Sequence, residues 1–294
     1  MAHKAGYVNI IGNPNVGKST LMNAFVGEKL SIITSKAQTT RHRILGIVND
    51  DDFQILYSDT PGILKPNYKL QKSMMKFVDT AISDADVIIY VTDVVETFDK
   101  NEDYIQKVQK TSAPVLLLIN KIDLTQQDEL ENIVDKWKEK IPNAEIIPVS
   151  ALNKFNIEHV FKRILDLIPE SAPYFPKDSL TDKTERFFVQ EIIREKIFLN
   201  YKKEIPYSVE VSVEEFKEEK KIIRIRAIIY VTRDSQKGII IGHQGKALKR
   251  VGTEARKDLE KFFDKQVFLE THVKVLKDWR DKDLDLKSFG YDQK

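Results

Sequence analysis

Gly12-Asn13-Pro14-Asn15-Val16-Gly17-Lys18-Ser19 lies between an apolar run, Tyr7 to Ile11, and a helix-like segment, Lys18 to Phe25. It matches G-x-x-x-x-G-K-[ST], the loop that cradles phosphates between a strand and a helix. Glycine lets such a backbone curl until successive N–H groups face one anion, and the helix N-terminus adds its partial positive charge. Lys18 then falls where it can bridge two phosphates, and the Ser19 hydroxyl where it can ligate Mg²⁺. A P-loop implies a strand–helix alternation around it, and the flanking sequence supplies one. Gln54 to Tyr57, Val87 to Thr92, Val115 to Ile119 and Ile146 to Val149 read as further strands. Leu70 to Ala81 and Asp128 to Lys140 read as helices between them. That alternation predicts an α/β domain, mostly a parallel sheet with helices on both faces.

Three more motifs follow in order, each at the end of an expected strand, where open parallel sheets bind ligands. Asp59-Thr60-Pro61-Gly62 follows the second run. Asp59 is expected to hold Mg²⁺ through water, and the Gly62 N–H to touch the γ-phosphate. Asn120-Lys121-Ile122-Asp123 follows Val115 to Ile119. The Asp123 carboxylate can accept from both N1–H and the exocyclic amine of guanine, a pair that adenine does not offer. Asn120 can link the base to the P-loop, and the Lys121 stem can cover its face. Ser150, Ala151 and Leu152 follow the last run and are expected to offer a backbone N–H to the guanine oxygen. Asn13, Pro14, Asn15, Val16, Gly17 and Thr20 complete the expected nucleotide contacts. The threonine that orders on the γ-phosphate must lie in Gln38-Thr39-Thr40-Arg41-His42, and Thr40 is favoured over Thr39 as a Mg²⁺ ligand. Arg41 and His42 read as plain surface. Lys18, Thr40, Gly62 and Asn15 are the residues expected to carry catalysis. Residue 63 is isoleucine, where Ras-like enzymes place the glutamine that orients the attacking water, so intrinsic turnover is expected to be slow.

Beyond Pro169 the pattern changes. Pro169, Pro173 and Pro176 punctuate a stretch without period that reads as a linker, giving domains at 1–170 and 184–294 joined by 171–183. A helix-like segment (Thr184 to Tyr201), two strands (Tyr207 to Phe216, Ile222 to Thr232), two helices flanking a GHQG turn, and a last strand (Val267 to Leu276) predict a separate α+β domain. From Thr181 onward there are 26 Lys+Arg against 21 Asp+Glu; before it, 21 against 24. A polyanion is therefore better received by the back of the chain. The absence of cysteine excludes disulfides, thiolate nucleophiles and Cys-based zinc sites. The longest apolar runs are too short to span a bilayer. A strand beginning almost at residue 1 leaves no expected leader peptide, consistent with a cytoplasmic protein.

GNPNVGKST, KAQTTRH, a DTPG without a following glutamine, and NKID resemble the Era family of bacterial GTPases. The likeness continues through TDKTERFFVQEIIREKI, IPYSVEV and GIIIGHQGKALKRVGTEARKDLEKFF, and so covers essentially the whole chain. It implies a P-loop GTPase domain followed by a type II KH domain, with GTP and GDP as ligands and Mg²⁺ as cofactor. The expected RNA partner is the single-stranded 3′ end of 16S rRNA, engaged during maturation of the 30S subunit by a monomeric protein. Gly242-His243-Gln244-Gly245 would be the GXXG loop clamping RNA phosphates. Ile239, Ile240 and Ile241 would give an apolar floor to bases, or equally belong to the core. Lys237, Lys246, Lys249 and Arg250 stand around the loop. Relatives often carry lysine within the loop; here it holds His243 and Gln244. Position 13, often arginine in the family, is asparagine. In some relatives the equivalent of Asn15 helps bind K⁺, which is carried over as a hypothesis. The family is also described as partly membrane-associated, at the inner face of the cell membrane. A membrane-surface GTPase whose tail docks a protein or lipid head groups is the competing expectation.

Overall fold

The structure is a computed structural model and describes residues 2–96 and 101–291. Two compact units divide the chain, Met1–Asn67 with Gln71–Asp182, and Tyr68–Leu70 with Lys183–Lys294. The first unit is built on β1 (Lys4–Gly12), α1 (Lys18–Val26), β2 (Ile44–Asn49), β3 (Phe53–Asp59), α2 (Lys69–Ser83) and β4 (Val87–Asp93). It continues with α3 (Glu102–Gln109), β5 (Val115–Asn120), α4 (Gln127–Lys140), β6 (Ala144–Pro148) and α5 (Ile157–Leu167). The strands form one six-stranded sheet in the order β2-β3-β1-β4-β5-β6. All neighbours are parallel except β2, which runs antiparallel to β3. Every residue of β4 and β5 is buried, as strands covered by helices on both faces must be. This is the α/β architecture expected, and it gathers the ends of β1, β3, β5 and β6 on one edge.

Strand β2 was not among the expected strands, and it explains the segment that reads as a linker. Residues 171–182 belong to the first unit, and their backbone is used where their side chains show no pattern. The Ile47 N–H donates to Leu180 O at 2.9 Å, Thr181 bridges Gly46, and the Leu45 N–H reaches Asp182 Oδ1 at 3.1 Å. Gln54 Oε1 accepts from the Tyr174 and Phe175 N–H groups at 2.7 and 2.9 Å. The segment thus covers an edge strand that would otherwise expose unpaired backbone groups.

The second unit contains α6 (Glu185–Asn200), a short α7 (Ile205–Ser208), β7 (Glu210–Glu218) and β8 (Ile222–Val231). It ends with α8 (Asp234–Ile241), α9 (Lys246–Phe263), β9 (Gln266–Val275) and α10 (Asp283–Ser288). Its sheet has the order β7-β8-β9, with β7 antiparallel and β9 parallel to β8. The parallel pair requires a crossover, and α8 and α9 provide it. The α-β-β-α-α-β order is the one expected; the turn α7, opened by Ile205 and Pro206, starts β7 later than the sequence suggested. Val189, Ile193 and Ile197 from α6 meet alternate residues of β8 (Ile223, Ile225, Ala227, Ile229) and Val251, Ala255 and Leu259 from α9. After β9, Trp279 is fully buried and donates Nε1–H to Ser208 O at 3.1 Å, which pins the C-terminal segment. Among the described residues no helix is long and apolar enough to cross a membrane.

Candidate functional site

The P-loop leaves β1 at Gly12 and enters α1 at Lys18. Gly17 takes φ +99°, and a Cβ there would lie 2.2 Å from Asn120 Nδ2, so only glycine fits. The Lys18 ammonium is buried and donates to Asn13 O at 2.7 Å. Burial pulls it down to about 8, against the opposing charges of Asp59 and Glu96. Pro14, Asn15, Gly17, Lys18, Ser19, Thr20, Thr40, Gly62 and Lys121 line one cavity of about 350 Å³. Ile32 to Lys36, Gln38 and Thr39 close its other side, and sequence reasoning did not assign Ile32 to Lys36.

At one end of this cavity three oxygens converge. Ser19 Oγ donates to Asp59 Oδ2 at 2.7 Å, Thr40 Oγ1 donates to the same atom at 3.2 Å, and the two hydroxyls are 3.0 Å apart. Thr39 turns elsewhere, donating to Lys36 O at 2.7 Å and meeting Thr34 Oγ1 at 2.6 Å. Asp59 Oδ1 is buried with no hydrogen-bond partner among the described residues. Burial pushes this carboxyl up, while the Ser19 hydroxyl and the Lys18 charge pull it down. Hard oxygens around an unsatisfied buried carboxylate oxygen are the donor set Mg²⁺ takes. Thr60 Oγ1 donates to Ile10 O at 2.7 Å and the Ile63 N–H to Gly12 O at 3.0 Å, so DTPG is held against the end of β1. The Ile63 side chain is only 1% exposed and points into the core.

Asn120 joins the loops after β5 and β6 to the P-loop. Its Nδ2 donates to Val16 O at 2.8 Å, and its Oδ1 accepts from the Ala151 N–H at 3.0 Å. Lys121 adopts a left-handed backbone and donates Nζ to Asn15 O at 2.7 Å and to Asp93 at 2.5 Å. Asp123 is exposed, its Oδ1 accepting from Ser150 Oγ at 2.6 Å. Asp123 and Ser150 line a second cavity with Ile122, Asn153 and Phe155, separate from the P-loop cavity. Leu152 is 79% exposed beside them. The Asn13 side chain donates to Glu96 Oε1 and accepts from Asn101 Nδ2. Arg41, read as surface, is fully buried.

In the second unit the GHQG turn joins α8 to α9. Gly242 has φ +69°, and a Cβ on it would stand 2.6 Å from the Ala247 Cβ. His243, Gln244, Lys246, Lys249 and Arg250 are exposed around the turn, with Lys237 partly so. Ile240 corrects the sequence reading: it is fully buried, and Tyr201 Oη donates to its carbonyl at 2.7 Å, so it has no surface to offer a base. Ile241 is half-buried against the core, and Ile239 is the exposed member of the run, at 49%. A groove of about 330 Å³ starts at Gly245 and runs between α9 and β9, lined by Leu248, Lys249, Gly252, Thr253, Arg256, Leu269 and Thr271. Sequence reasoning missed this groove beyond Lys249. The signal was present: Gly245, Lys249, Gly252, Thr253 and Arg256 recur at helical spacing, and Leu269 and Thr271 at strand spacing.

Comparison with known proteins agrees with this geometry. The family described as 50S ribosome-binding GTPase matches residues 7–121, and the KH domain family matches residues 204–280. GTPase Era of Staphylococcus haemolyticus (strain JCSC1435) is 44% identical over 291 residues, spanning 98% of this chain and 97% of the relative. The crystal structure of Era in complex with MgGDPNP and nucleotides 1506–1542 of 16S ribosomal RNA superposes with a TM-score of 0.94 at 38% identity. It covers 99% of this chain and 100% of that one. A variant of Aquifex aeolicus Era bound to GDP·AlF4⁻ gives 0.94 at 39% identity, with coverage of 99% and 100%. With the P-loop unit, the KH unit and a relative matched over nearly its full length, this chain belongs to the Era family of GTPases.

Proposed function

We propose that this chain is a GTP-hydrolysing switch that engages the single-stranded 3′ end of 16S rRNA during assembly of the 30S subunit. The observation that carries the reading is the convergence of Lys18, Ser19 and Thr40 on one cavity, with Asp59 bonded to both hydroxyls and Asn120 tying the P-loop to the base-recognition loops. The relative of known structure that binds MgGDPNP and a 16S rRNA segment supports both ligands.

In this reading Lys18 neutralises the β- and γ-phosphates, and Ser19 and Thr40 with Asp59 hold Mg²⁺, which when bound spreads the charge developing on the transferred phosphoryl group. Thr40 is the better ligand of the two threonines because its hydroxyl, and not that of Thr39, meets Ser19 and Asp59. Gly62 presents its N–H to the γ-phosphate. Thr40 and Gly62 therefore sense that phosphate, and both segments relax when it leaves. With Ile63 buried, no side chain at that position orients water, and turnover is slow. Asn15, exposed on the rim of the cavity, offers the hard oxygen that K⁺ accepts. Hydrolysis is expected to be about tenfold or more faster in K⁺ than in Na⁺ at equal ionic strength. Equal rates in the two salts would remove K⁺ and leave the rest intact.

For RNA, the groove between α9 and β9 accepts bases while Lys237, Lys246, Lys249 and Arg256 face the backbone. A labelled oligonucleotide of the 16S rRNA 3′ end is expected to bind more tightly, by about fivefold or more, with a GTP analogue than with GDP. With about four phosphates neutralised, log affinity should fall with log salt at a slope of about −3. Fluorescence anisotropy at several salt concentrations measures both. Equal affinity in the two nucleotide states would refute the switch, and a flat salt response would refute the phosphate contacts.

A further inference from the structure

We propose that Asn101 is a positioning residue for hydrolysis, a latch tying the segment after DTPG to the P-loop, on the reading of this site as a GTPase centre. The Asn101 Nδ2 group donates to the main-chain O of Ile63 at 3.2 Å and to Asn13 Oδ1. Asn13 in turn donates Nδ2 to Glu96 Oε1, and the other Glu96 oxygen accepts from Thr92 Oγ1 at 3.0 Å near the end of β4. On its opposite side Ile63 donates its N–H to Gly12 O at 3.0 Å. Both polar groups of the Ile63 backbone are thus tied, one to β1 and one to Asn101. Gly62, whose N–H faces the γ-phosphate, is the residue immediately before.

The chemistry selects asparagine. A carbonyl oxygen and an amide oxygen both need a donor, and a single NH₂ carries two hydrogens for them. Asn101 also sits in the left-handed region, φ 56°, where asparagine is tolerated, and opens α3 by accepting the Tyr104 N–H on its carbonyl at 2.9 Å. Asn13 serves both ends of the chain of contacts: its carbonyl holds Lys18 at 2.7 Å, and its side chain holds Asn101. The contact that sets Lys18 is therefore shared with the contact that sets Ile63. A helix cap would use the Asn101 side-chain oxygen as acceptor, and no such bond forms; the Nδ2 bonds to Asn13 and Ile63 serve no cap.

The test is Asn101→Asp, which keeps size and backbone preference but replaces the two donor hydrogens with acceptors. Single-turnover GTP hydrolysis is expected to fall about tenfold, with GDP affinity within about twofold of wild type. Affinity for a GTP analogue is expected to fall about fivefold, because only the γ-phosphate meets the latched segment. Asn13→Ala, which leaves the main chain and the Asn101–Ile63 bond in place, is expected to give a smaller fall in rate, about threefold. Wild-type turnover in Asn101→Asp, or equal losses for GDP and the GTP analogue, would overturn the latch. Should Asn101→Asp melt early, Asn101→Gly, which loses the same donors and accepts the left-handed backbone, takes its place, and wild-type turnover there would overturn the latch equally. Wild-type protein that hydrolyses no GTP would overturn the underlying GTPase reading, an outcome distinct from both.

Discussion

Asp123→Asn is expected to lose about a thousandfold in GTP affinity and to gain xanthosine triphosphate as its preferred ligand. Guanine presents two donors, N1–H and the 2-amine, to the Asp123 carboxylate, and each bond to a charged acceptor contributes about 1.5–3 kcal/mol. Ser150 Oγ donates to Asp123 Oδ1 at 2.6 Å, so an amide that keeps this bond on its oxygen presents NH₂ in place of the second oxygen. The guanine amine then faces a donor. Xanthine has a carbonyl at that position and accepts from it instead. Asp123 is exposed, so the exchange should leave the melting temperature within about 1 °C, in line with surface substitutions generally. Displacement of a fluorescent GDP by GTP and by its xanthine counterpart reads the switch directly. Unchanged preference for GTP would refute the assigned role, and with it the reading of NKID.

The P-loop, DTPG and NKID motifs were legible because each is a local event: a strand ends, and the motif follows within a few residues. Gly17 and Lys18 follow β1 at the start of α1, and Asp59 and Asn120 close β3 and β5. What stayed hidden was non-local or carried by the backbone. The strand-like use of residues 179–182 on β2 leaves no side-chain period, because, Asp182 Oδ1 apart, the bonds involve backbone groups such as Leu180 O. Three consecutive isoleucines carry no period either. That Ile240 is core while Ile239 faces solvent is decided by the rotation of α8, which a run of identical residues cannot report. Arg41 read as surface because charge usually means solvent, yet the fold around it buries it. The link from Asn13 to Glu96 and Asn101 joins positions far apart in sequence, which only the packing of β1 beside β4 brings together.

Gly242→Asp is expected to weaken binding of the 16S rRNA 3′ oligonucleotide by about a hundredfold or more, through two effects that a second substitution can separate. The first is steric. At φ +69° with ψ −179°, a region essentially reserved for glycine, a side chain is strained by about 1–3 kcal/mol, whereas Gly245 lies in the left-handed helical region. Its Cβ would also stand 2.6 Å from the Ala247 Cβ and 3.2 Å from the Ala247 nitrogen, so the turn between α8 and α9 must open. The second is electrostatic, since a carboxylate at this turn opposes an RNA phosphate brought to the start of α9. Gly245→Asp isolates the second effect. Gly245 also has a positive φ, +73°, but a Cβ there meets nothing within 4 Å, and aspartate is among the residues that tolerate this region. Gly245 is moreover the N-cap of α9, a position that aspartate favours. Gly245→Asp should therefore fold at least as well as Gly242→Asp and still lose about tenfold in RNA affinity by repulsion alone. Anisotropy titrations beside melting curves for the two variants distinguish the cases. If Gly245→Asp binds RNA as wild type does, phosphate does not approach the start of α9, and the RNA path must be sought elsewhere on the unit. If it loses affinity without losing stability, the turn is a phosphate clamp, and the larger loss in Gly242→Asp measures how much of that clamp depends on backbone shape.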